Sequence, residues 1–496
     1  MRLVSSRNDS IEISTAKAMV KGLSDDGGLF TPLLDGETLD IGSLQNLSYK
    51  EMATKIISFF IRDFTEEEIK ECVDKAYDNK FDVPEIAPLT KINDGFILEL
   101  WHGPTSAFKD VALTLLPHFL TKAYQKDNCN KTLAILTATS GDTGKAALAS
   151  FADVPDTTIT VFYPEIGVSD IQKRQMATSK GSNVDVIAVK GNFDDCQRLI
   201  KKATTDKDIL DGIDNVTISS ANSINIGRLI PQIVYYYYAY SKVVENRRIS
   251  LYDRINFCVP TGNFGNILAG YLAMESGLPI KKLICASNSN HILTDFINSG
   301  IYDLHRNFYP TMSPSMDILI SSNLERLLYL LYKDSDKINE LMKKLDEDKF
   351  YKVDDVVLKK MQKDFRAYWA SEEETAETIK DLFEKEKVLI DPHTAVALNS
   401  VKKYKNETDD NSETVILSTA NPYKFTADVL KAISNEQIND PFDAMRRLEE
   451  ISETEAPKNL KVLEQLPIRF NRSIEINNGM DVIRKRFEEI NNDHKD

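Results

Sequence analysis

Short apolar runs rich in β-branched residues recur along the chain from about residue 130. Helically spaced stretches separate them, and the runs are TLAILTAT, TITVFYP, VDVIAVKG, NVTISSA, INFCVP, KLICASN and, near the C-terminus, ETVILSTA. Buried parallel strands are continuous apolar runs, and strands that alternate with helices are typical of βαβ units. The pattern therefore predicts an α/β fold with mainly parallel sheets and flanking helices.

Two regions depart from this alternation. In the first 92 residues, STAKAMVKGLSDDGGLFTP predicts a helix that ends at a DDGG turn, and SYKEMATKIISFFIRDF and TEEEIKECVDKAY predict amphipathic helices. We expect a mostly helical N-terminal domain there. Residues 323–387 are dense in Lys, Asp and Glu at helical spacing, which predicts a solvated helical insertion.

Composition narrows the function classes. The chain has 496 residues, 42% of them apolar and 28% charged, so it is globular and too long for one core. Its net charge of −15 argues against a nucleic-acid partner. No apolar run is long enough to span a membrane, and the N-terminus lacks a secretory signal. The five cysteines include no C-x-x-C pair, so we expect no metal site and a reducing, cytoplasmic location.

The stretch ILTATSGDTGKAALASFA places a polar, glycine-containing turn between a strand and a helix. The turn holds Thr139, Ser140, Gly141, Asp142, Thr143 and Gly144. Hydroxyl groups and free N–H groups at a helix start favour an anion, whereas a single Ser or Thr there could simply cap the helix. So many polar and glycine residues together favour an anion site. The spacing of a P-loop is absent.

FCVPTGNFGNILAGYLA has the same strand–turn–helix arrangement. Gly262 and Gly265 frame a loop whose N–H groups can converge on a phosphate, assisted by the helix dipole. Open α/β sheets bind ligands at the carboxyl ends of their strands, which is where this loop is predicted to lie.

WHGPTSAFKD surrounds Lys109 with small residues and places Asp110 beside it, in the first turn of a predicted helix. A solvent-facing lysine balanced by its neighbour is the ordinary interpretation. The small residues before Lys109 instead offer room for a planar ligand. A lysine with such room, together with a separate phosphate loop, is what a Schiff-base cofactor with a phosphate tail requires. For Asp110 the sequence suggests only capping of the helix.

Five ordered motifs resemble the threonine synthase family of pyridoxal 5′-phosphate (PLP) enzymes. They are HGPTSAFKD, TATSGDTGKAALA, SANSINIGRL, PTGNFGNILAG and LSTANPYKF, and SSRND…DGGLFTP resembles the start of the long microbial and fungal branch. The resemblance implies the type II PLP fold, similar to the tryptophan synthase β chain. We expect a large PLP-binding domain over residues 93–112 and 253–496 and a small α/β domain over residues 113–252.

The resemblance also assigns site residues. It implies that Lys109 carries the cofactor as a Schiff base and then moves substrate protons. The remaining cofactor contacts would be Gly262, Asn263, Phe264, Gly265 and Asn266 at the phosphate and Thr419 at the pyridine nitrogen; the substrate contacts would be Thr139, Ser140, Asp142, Thr143, Asn222, Ser223, Asn225 and Arg228. For Arg228 a helix-surface position competes with an anion contact, and for His393 in DPHTAVA a structural role competes with an active-site role.

The family reaction converts O-phospho-L-homoserine and water to L-threonine and phosphate, and we expect it of this chain acting as a monomer or homodimer. The alternatives are another type II PLP lyase, either a dehydratase or a phospholyase that releases a keto acid, or a PLP-fold binding protein without catalysis. One departure from the family pattern lies near the site: Asn421 stands where the family usually has histidine.

Overall fold

The computed structural model describes residues 2–127, 131–139, 141–206 and 215–493. The N-terminal region comprises β1 (Arg2–Ser5), β2 (Asn8–Glu12), α1 (Thr15–Lys21), β3 (Phe30–Leu33), α2 (Tyr49–Phe60) and α3 (Glu66–Ala76). The three predicted helices form, and Ser48–Glu51 and Thr65–Glu68 capping boxes begin the last two. The antiparallel sheet β2–β1–β3 was not predicted, because its strands are short and β2 is mostly exposed.

The next segment introduces the large sheet and the first part of the small one. It contains β4 (Leu89–Ile92), β5 (Gly95–Glu99), α4 (Lys109–Leu113), α5 (Leu116–Asp127), β6 (Thr132–Ala138), α6 (Asp142–Phe151), β7 (Thr157–Pro164), α7 (Asp170–Ala177), β8 (Val184–Lys190), α8 (Phe193–Thr205), β9 (Val216–Ser220) and α9 (Ile226–Glu245).

The remaining elements complete both sheets. They are β10 (Ile255–Pro260), α10 (Gly265–Glu275), β11 (Ile280–Ser287), α11 (Ile292–Ser299), β12 (Ile301–Asp303), α12 (Leu324–Tyr332), α13 (Ser335–Asp348), β13 (Phe350–Lys352), α14 (Asp355–Asp364), β14 (Phe365–Trp369), α15 (Glu372–Glu386), α16 (Pro392–Thr408), β15 (Thr414–Ser418), α17 (Thr426–Ser434), α18 (Pro441–Ser452), α19 (Lys458–Lys461), β16 (Arg472–Glu475) and α20 (Gly479–Asp493).

Two mainly parallel sheets organise the fold, as predicted. The large sheet has the strand order β14–β11–β10–β15–β5–β4, and only β4 pairs antiparallel. The small sheet has the order β16–β8–β7–β6–β9 and is parallel throughout. The two glycine-containing turns follow β6 and β10, and Thr419 follows β15, so the polar segments predicted from the sequence all lie at carboxyl ends of strands.

The predicted domain boundaries need correction at three places. Strand β16 pairs with β8 and α20 packs against α8, so the C-terminal segment joins the small sheet rather than the large one. Helix α9, placed by prediction in the small domain, packs against α2 and α10 instead. The charged stretch 323–387 is not a purely helical insertion, because β14 within it pairs with β11 as the edge strand of the large sheet.

The described residues contain buried cysteine thiols but neither a membrane-spanning helix nor a cluster of metal ligands. Within them, no helix is long and apolar enough to cross a membrane. No cluster of three or more His, Cys, Asp or Glu side chains among these residues could hold a metal ion. Cys72, Cys196, Cys258 and Cys285 are buried free thiols, and Cys129 lies outside the described residues.

Candidate active site

Lys109 is brought to the end of strand β15 by the loop that precedes it. Phe108 donates its N–H to the carbonyl of Thr419 at 2.9 Å, and Asn421 donates its N–H to the carbonyl of Ser106 at 3.1 Å. These two bonds join the loop to the chain just beyond β15. As a result Lys109, the first residue of α4, and Thr419 line the same cavity.

Asp110 folds the loop before Lys109 rather than capping the helix. Its carboxylate accepts hydrogen bonds from the Thr105 N–H at 2.8 Å and the Thr105 hydroxyl at 2.6 Å. A Cβ added at Gly103 would lie 2.5 Å from the Cβ of Asp110, so glycine is needed for this close approach. Burial raises the pKa of Asp110 to about 6, although the bonds from Thr105 oppose the shift. Gly103 therefore makes room for Asp110, whereas the sequence had suggested room for a ligand.

The Lys109 amine is in a buried, charged environment. Its side chain is 12% exposed, and its Nζ lies 3.8 Å from Oδ2 of Asp142. Burial lowers the pKa of Lys109 to about 8, and the nearby cations Arg228 and Lys424 act in the same direction while Asp142 opposes them. The amine is thus far easier to deprotonate than a surface lysine, which suits a nucleophile and a proton carrier.

Asp142 is the first residue of α6. Its carboxylate pairs with a second lysine, for which the sequence motifs predicted no role. Its Oδ1 accepts hydrogen bonds from Lys424 Nζ and, at 2.7 Å, from Gln172 Nε2. Lys424 also donates to the carbonyl of Thr105 at 3.1 Å. Burial would raise the pKa of Asp142, but the Lys424 and Lys109 ammonium groups more than offset it and hold that pKa below its usual range.

Lys424 belongs to the ANPYKF segment that the sequence analysis quoted. Its side chain is fully buried, with 0% exposure, and it connects the end of the large sheet to the first helical turn of the small domain. A lysine after a strand is ordinarily a surface residue, and no spacing signal distinguishes the two cases. Only the tertiary contact with Asp142 identifies Lys424 as part of the site.

The loop after β10 forms the glycine-containing turn at the start of α10. Phe264 adopts the left-handed conformation with φ of 61°, and α10 begins at Gly265 with free first-turn N–H groups. A Cβ at Gly262 would lie 2.6 Å from the carbonyl oxygen of Ser315, so this close approach requires glycine. Gly262, Asn263, Phe264, Gly265 and Asn266 all line the cavity that contains Lys109. The side-chain nitrogen of Asn266 has no hydrogen-bond partner among the described residues.

Arg228 lines the same cavity from the first turns of α9. It is not a helix-surface arginine, because it is 2% exposed and its Nη1 donates to the carbonyl of Ala221. Burial lowers its pKa to about 10, and its Nε has no partner in the described part of the chain. A buried guanidinium with an unpaired donor beside a lysine is well suited to an anionic ligand.

The other predicted substrate residues divide into two groups. Thr143, Asn222 and Ser223 line the cavity, although the Asn222 amide also bonds both backbone groups of Ala138 at the end of β6. Asn225 is not among the lining residues. Its amide donates to the carbonyls of Met19 and Ser220 and its Oδ1 caps α9.

Thr139 likewise supports the turn instead of lining the cavity. Its hydroxyl accepts hydrogen bonds from the N–H groups of Gly141 and Gly144 at 2.9 and 2.8 Å. A residue that organises the turn from within was predicted as a substrate contact because both roles favour a hydroxyl at a helix start. Ser140 lies outside the described residues.

His393 and Asn421 fit structural roles near the site. Ser315 donates its N–H to Nε2 of His393 at 3.1 Å, so the ring proton on Nδ1 faces Asp391, 2.7 Å away. His393 also lines the cavity. The Asn421 side chain accepts a hydrogen bond from the N–H of Tyr423 at 3.0 Å and caps the short 3-10 helix Pro422–Phe425. This capping role explains the presence of asparagine at a position where the family usually has histidine.

The residues present fit PLP. The cofactor needs a lysine for its aldehyde, donors for its phosphate and a polar group at its ring nitrogen. Lys109, the loop 262–266 with the unpaired side-chain nitrogen of Asn266, and Thr419 surround one cavity. The predicted groups therefore meet at one place, drawn from α4, from the turn after β10 and from the residue after β15.

Known proteins resemble this chain over most of its length. Family profiles match as "Pyridoxal-phosphate dependent enzyme" over residues 81–420, "Threonine synthase N terminus" over residues 2–77 and "Threonine synthase, C-terminal" over residues 394–484. Human threonine synthase-like 1 is 40% identical over 441 residues, which cover 86% of this chain and 58% of the human protein. The chain thus spans little more than half of that relative.

Threonine synthases match over more of their own length. The enzyme of Saccharomyces cerevisiae is 36% identical over 85% of this chain and 87% of the yeast chain. The crystal structure of PLP-bound threonine synthase from Brucella melitensis is 33% identical, covers 99% of both chains and superimposes with a TM-score of 0.85. With these matches over most of its length, the chain belongs to the threonine synthase family of PLP-dependent enzymes.

Proposed function

We propose that this protein is a threonine synthase, which converts O-phospho-L-homoserine and water to L-threonine and phosphate. Phosphate leaves Cγ, which gains a proton, while Cβ loses a proton and takes the hydroxyl of water. The observation that carries the proposal is the buried Lys109 in one cavity with a phosphate-binding turn and Arg228, in a chain that threonine synthases match over most of its length.

The cofactor contacts follow from the cavity. Lys109 would bind PLP covalently, the turn Gly262, Asn263, Phe264, Gly265 and Asn266 would hold its phosphate, and Thr419 would meet its pyridine nitrogen; all of these residues line the cavity. When bound, PLP withdraws electrons from the substrate Cα. Thr419 would offer the ring nitrogen a neutral hydroxyl rather than an acid. It would therefore hydrogen-bond the nitrogen without protonating it.

Lys109 also carries the protons. When it is free of the cofactor, its amine would act as a general base at the substrate Cα. A pKa near 8 leaves a useful neutral fraction near neutral pH, and the protonated form can return a proton to carbon. Asp142, 3.8 Å away, stabilises that protonated form and attracts the ammonium group towards its carboxylate.

The substrate brings a phosphate and a carboxylate, so the site needs positive charge. Arg228 and Lys109 line the cavity, whereas the negative charge of Asp142 is paired with Lys424. Without that pairing Asp142 would repel an anionic substrate. Arg228 is suited to the phosphate or the carboxylate, with Thr143, Asn222 and Ser223 as neutral donors. Thr139 and Asn225 would contribute through the shape of the turn and the start of α9, and Ser140 stays a predicted substrate contact.

The remaining expectations belong to the same proposal. The partner is a small-molecule substrate, and the enzyme acts as a monomer or homodimer in the cytoplasm. The buried free thiols Cys72, Cys196, Cys258 and Cys285 are compatible with a reducing compartment.

Product analysis tests the reaction. The PLP-loaded protein is incubated with O-phospho-L-homoserine, and phosphate and amino acids are measured together. We expect phosphate and threonine in equal amounts. Phosphate with a keto acid would instead identify the phospholyase alternative, and no product from a protein that binds PLP would identify the silent binding protein.

Substitution of the lysine tests its role. Lys109→Ala should abolish both the covalent cofactor absorbance and turnover, because no other lysine lines this cavity in the described part of the chain. Lys343→Ala, at an exposed lysine on α13, is the matched control and should behave like the parent protein. Normal turnover by Lys109→Ala would contradict the mechanism.

A further inference from the structure

Two tyrosines of α9 contact the amide side chain of Asn266 from behind the cavity. The hydroxyl of Tyr235 lies 2.5 Å from Oδ1 of Asn266, and the hydroxyl of Tyr236 lies 3.0 Å from the same oxygen and 2.8 Å from the Asn266 carbonyl. Asn266 itself is 8% exposed and lies in the first turn of α10. Its Oδ1 is therefore fully engaged on the side away from the ligand.

Hydrogen-bond chemistry fixes the direction of that amide. Both phenols have a proton to donate, because burial raises the pKa of Tyr235 and Tyr236 well above their usual range, and both hydroxyls donate to Asn266 Oδ1. The Tyr235 hydroxyl is closer to Asn266 Oδ1 than to Gln232 Oε1, which lies at 3.2 Å. With Oδ1 held, Nδ2 is the unpaired end of a side chain that lines the cavity, and its two N–H donors have no partner in the described chain.

We infer that Tyr235, supported by Tyr236, is a positioning residue of the cofactor site: it orients the Asn266 amide so that Nδ2 donates to the phosphate of PLP. The inference rests on the proposed function only in taking the occupant of the turn to be the cofactor phosphate. A buried unpaired donor is costly, and an anion at the start of α10 satisfies it while also meeting the helix dipole. Turned the other way, the amide would present oxygen to the phosphate and weaken its binding.

Binding to the apo-protein measures this directly, without turnover. PLP and pyridoxal, which lacks the phosphate, are titrated separately against the parent protein, Tyr235→Phe and Tyr236→Phe. We expect Tyr235→Phe to weaken PLP about tenfold, which corresponds to about 1.4 kcal/mol, and to leave pyridoxal affinity unchanged. The effect of Tyr236→Phe should be smaller, because its hydroxyl is shared with a backbone carbonyl.

The chain offers a matched control on the same helix. Tyr237 is a buried tyrosine whose hydroxyl bonds Ser276 and the carbonyl of Ala273, away from Asn266. Tyr237→Phe removes a buried phenol of the same kind and should leave PLP affinity unchanged. A similar loss for Tyr237→Phe and Tyr235→Phe would mean a general packing effect and would overturn the inference.

A double-mutant cycle separates positioning from structure. Asn266→Ala should weaken PLP as much as Tyr235→Phe or more, and the two changes together should weaken it no further than Asn266→Ala alone. Additive losses would overturn the inference, as would unchanged PLP affinity in Tyr235→Phe.

Asn266→Asp keeps an acceptor for Tyr235 but replaces the donor, so it should bind pyridoxal and lose PLP. Undiminished PLP affinity in this variant would also refute the inference. Failure to form threonine with this pattern intact would count against the proposed function alone.

Discussion

Replacing Lys424 with methionine removes the cation that holds Asp142. Both side chains are inaccessible to water, at 0% and 2% exposure, so solvent cannot replace the lost charge. Asp142 would keep a hydrogen bond from Gln172 at 2.7 Å, a longer one from the Ser315 hydroxyl at 3.4 Å and the ammonium of Lys109 at 3.8 Å. The carbonyl of Thr105 would lose the Lys424 donor as well, although Gln175 still donates to it at 3.2 Å.

The magnitude follows from the burial of the pair. Removing one partner of a buried ion pair costs about 3–5 kcal/mol of folding free energy, because the other charge is left uncompensated. Since Gln172 and Lys109 still contact Asp142, we expect a loss of about 3 kcal/mol, at the lower end of that range. The positive charge of Lys424 also lowers the pKa of Lys109, so its removal should raise that pKa above the value of about 8.

Urea unfolding of the apo-protein gives the free energies for Lys424→Met, Asp142→Asn and the double variant. The double variant should be more stable than Lys424→Met, because it no longer buries an unpaired carboxylate. Lys424→Arg, which keeps the charge, should restore part of the loss. A Lys424→Met variant within about 1 kcal/mol of the parent, or a double variant whose loss equals the sum of the single losses, would refute the argument.

Three further predictions follow from neighbouring contacts. Covalent binding of PLP requires the neutral Lys109 amine, so the association rate measured by stopped-flow absorbance should rise with pH and reach half its limit near pH 8; a midpoint near the ordinary lysine value would contradict the burial argument. Asp110→Ala leaves two Thr105 donors without an acceptor and should cost about 1–3 kcal/mol in urea unfolding, together with slower covalent PLP binding; a stable variant with normal binding would show that the loop folds without it. Asn421→His removes a cap at Tyr423 and should cost about 1 kcal/mol with little change in KM, so a large change in KM would place that side chain in contact with substrate.

The apolar pattern by itself determined the fold class. Continuous β-branched runs can be buried on both faces only in a parallel sheet covered by helices, and the strands formed where those runs lie. The same pattern missed the β2–β1–β3 sheet and the pairing of β16 with β8, because short, partly exposed strands have no apolar run and gain their stability from neighbours distant in sequence.

The local chemistry of the site was also readable from the sequence. Glycines at a strand–helix junction and a lysine after small residues require no long-range information, and the predicted Lys109 and the turn from Gly262 to Asn266 line one cavity. What such a motif cannot state is which polar residue faces the cavity and which supports it from behind. Thr139 and Asn225 are residue types that often bind ligands. Here their side-chain oxygens accept hydrogen bonds from backbone N–H groups near the start of a helix.

Only the tertiary structure decided which charges act together. The Lys424–Asp142 pair joins residues 282 positions apart, and the Tyr235–Asn266 contact joins two helices separated by a strand. The sequence does not distinguish a lysine or tyrosine in water from one in the protein interior. Burial nevertheless increases the energetic importance of its hydrogen-bond partners, its protonation state and its orientation. For this reason the sequence predicted which segments would line one cavity, whereas the electrostatics and orientation of their side chains depended on tertiary packing.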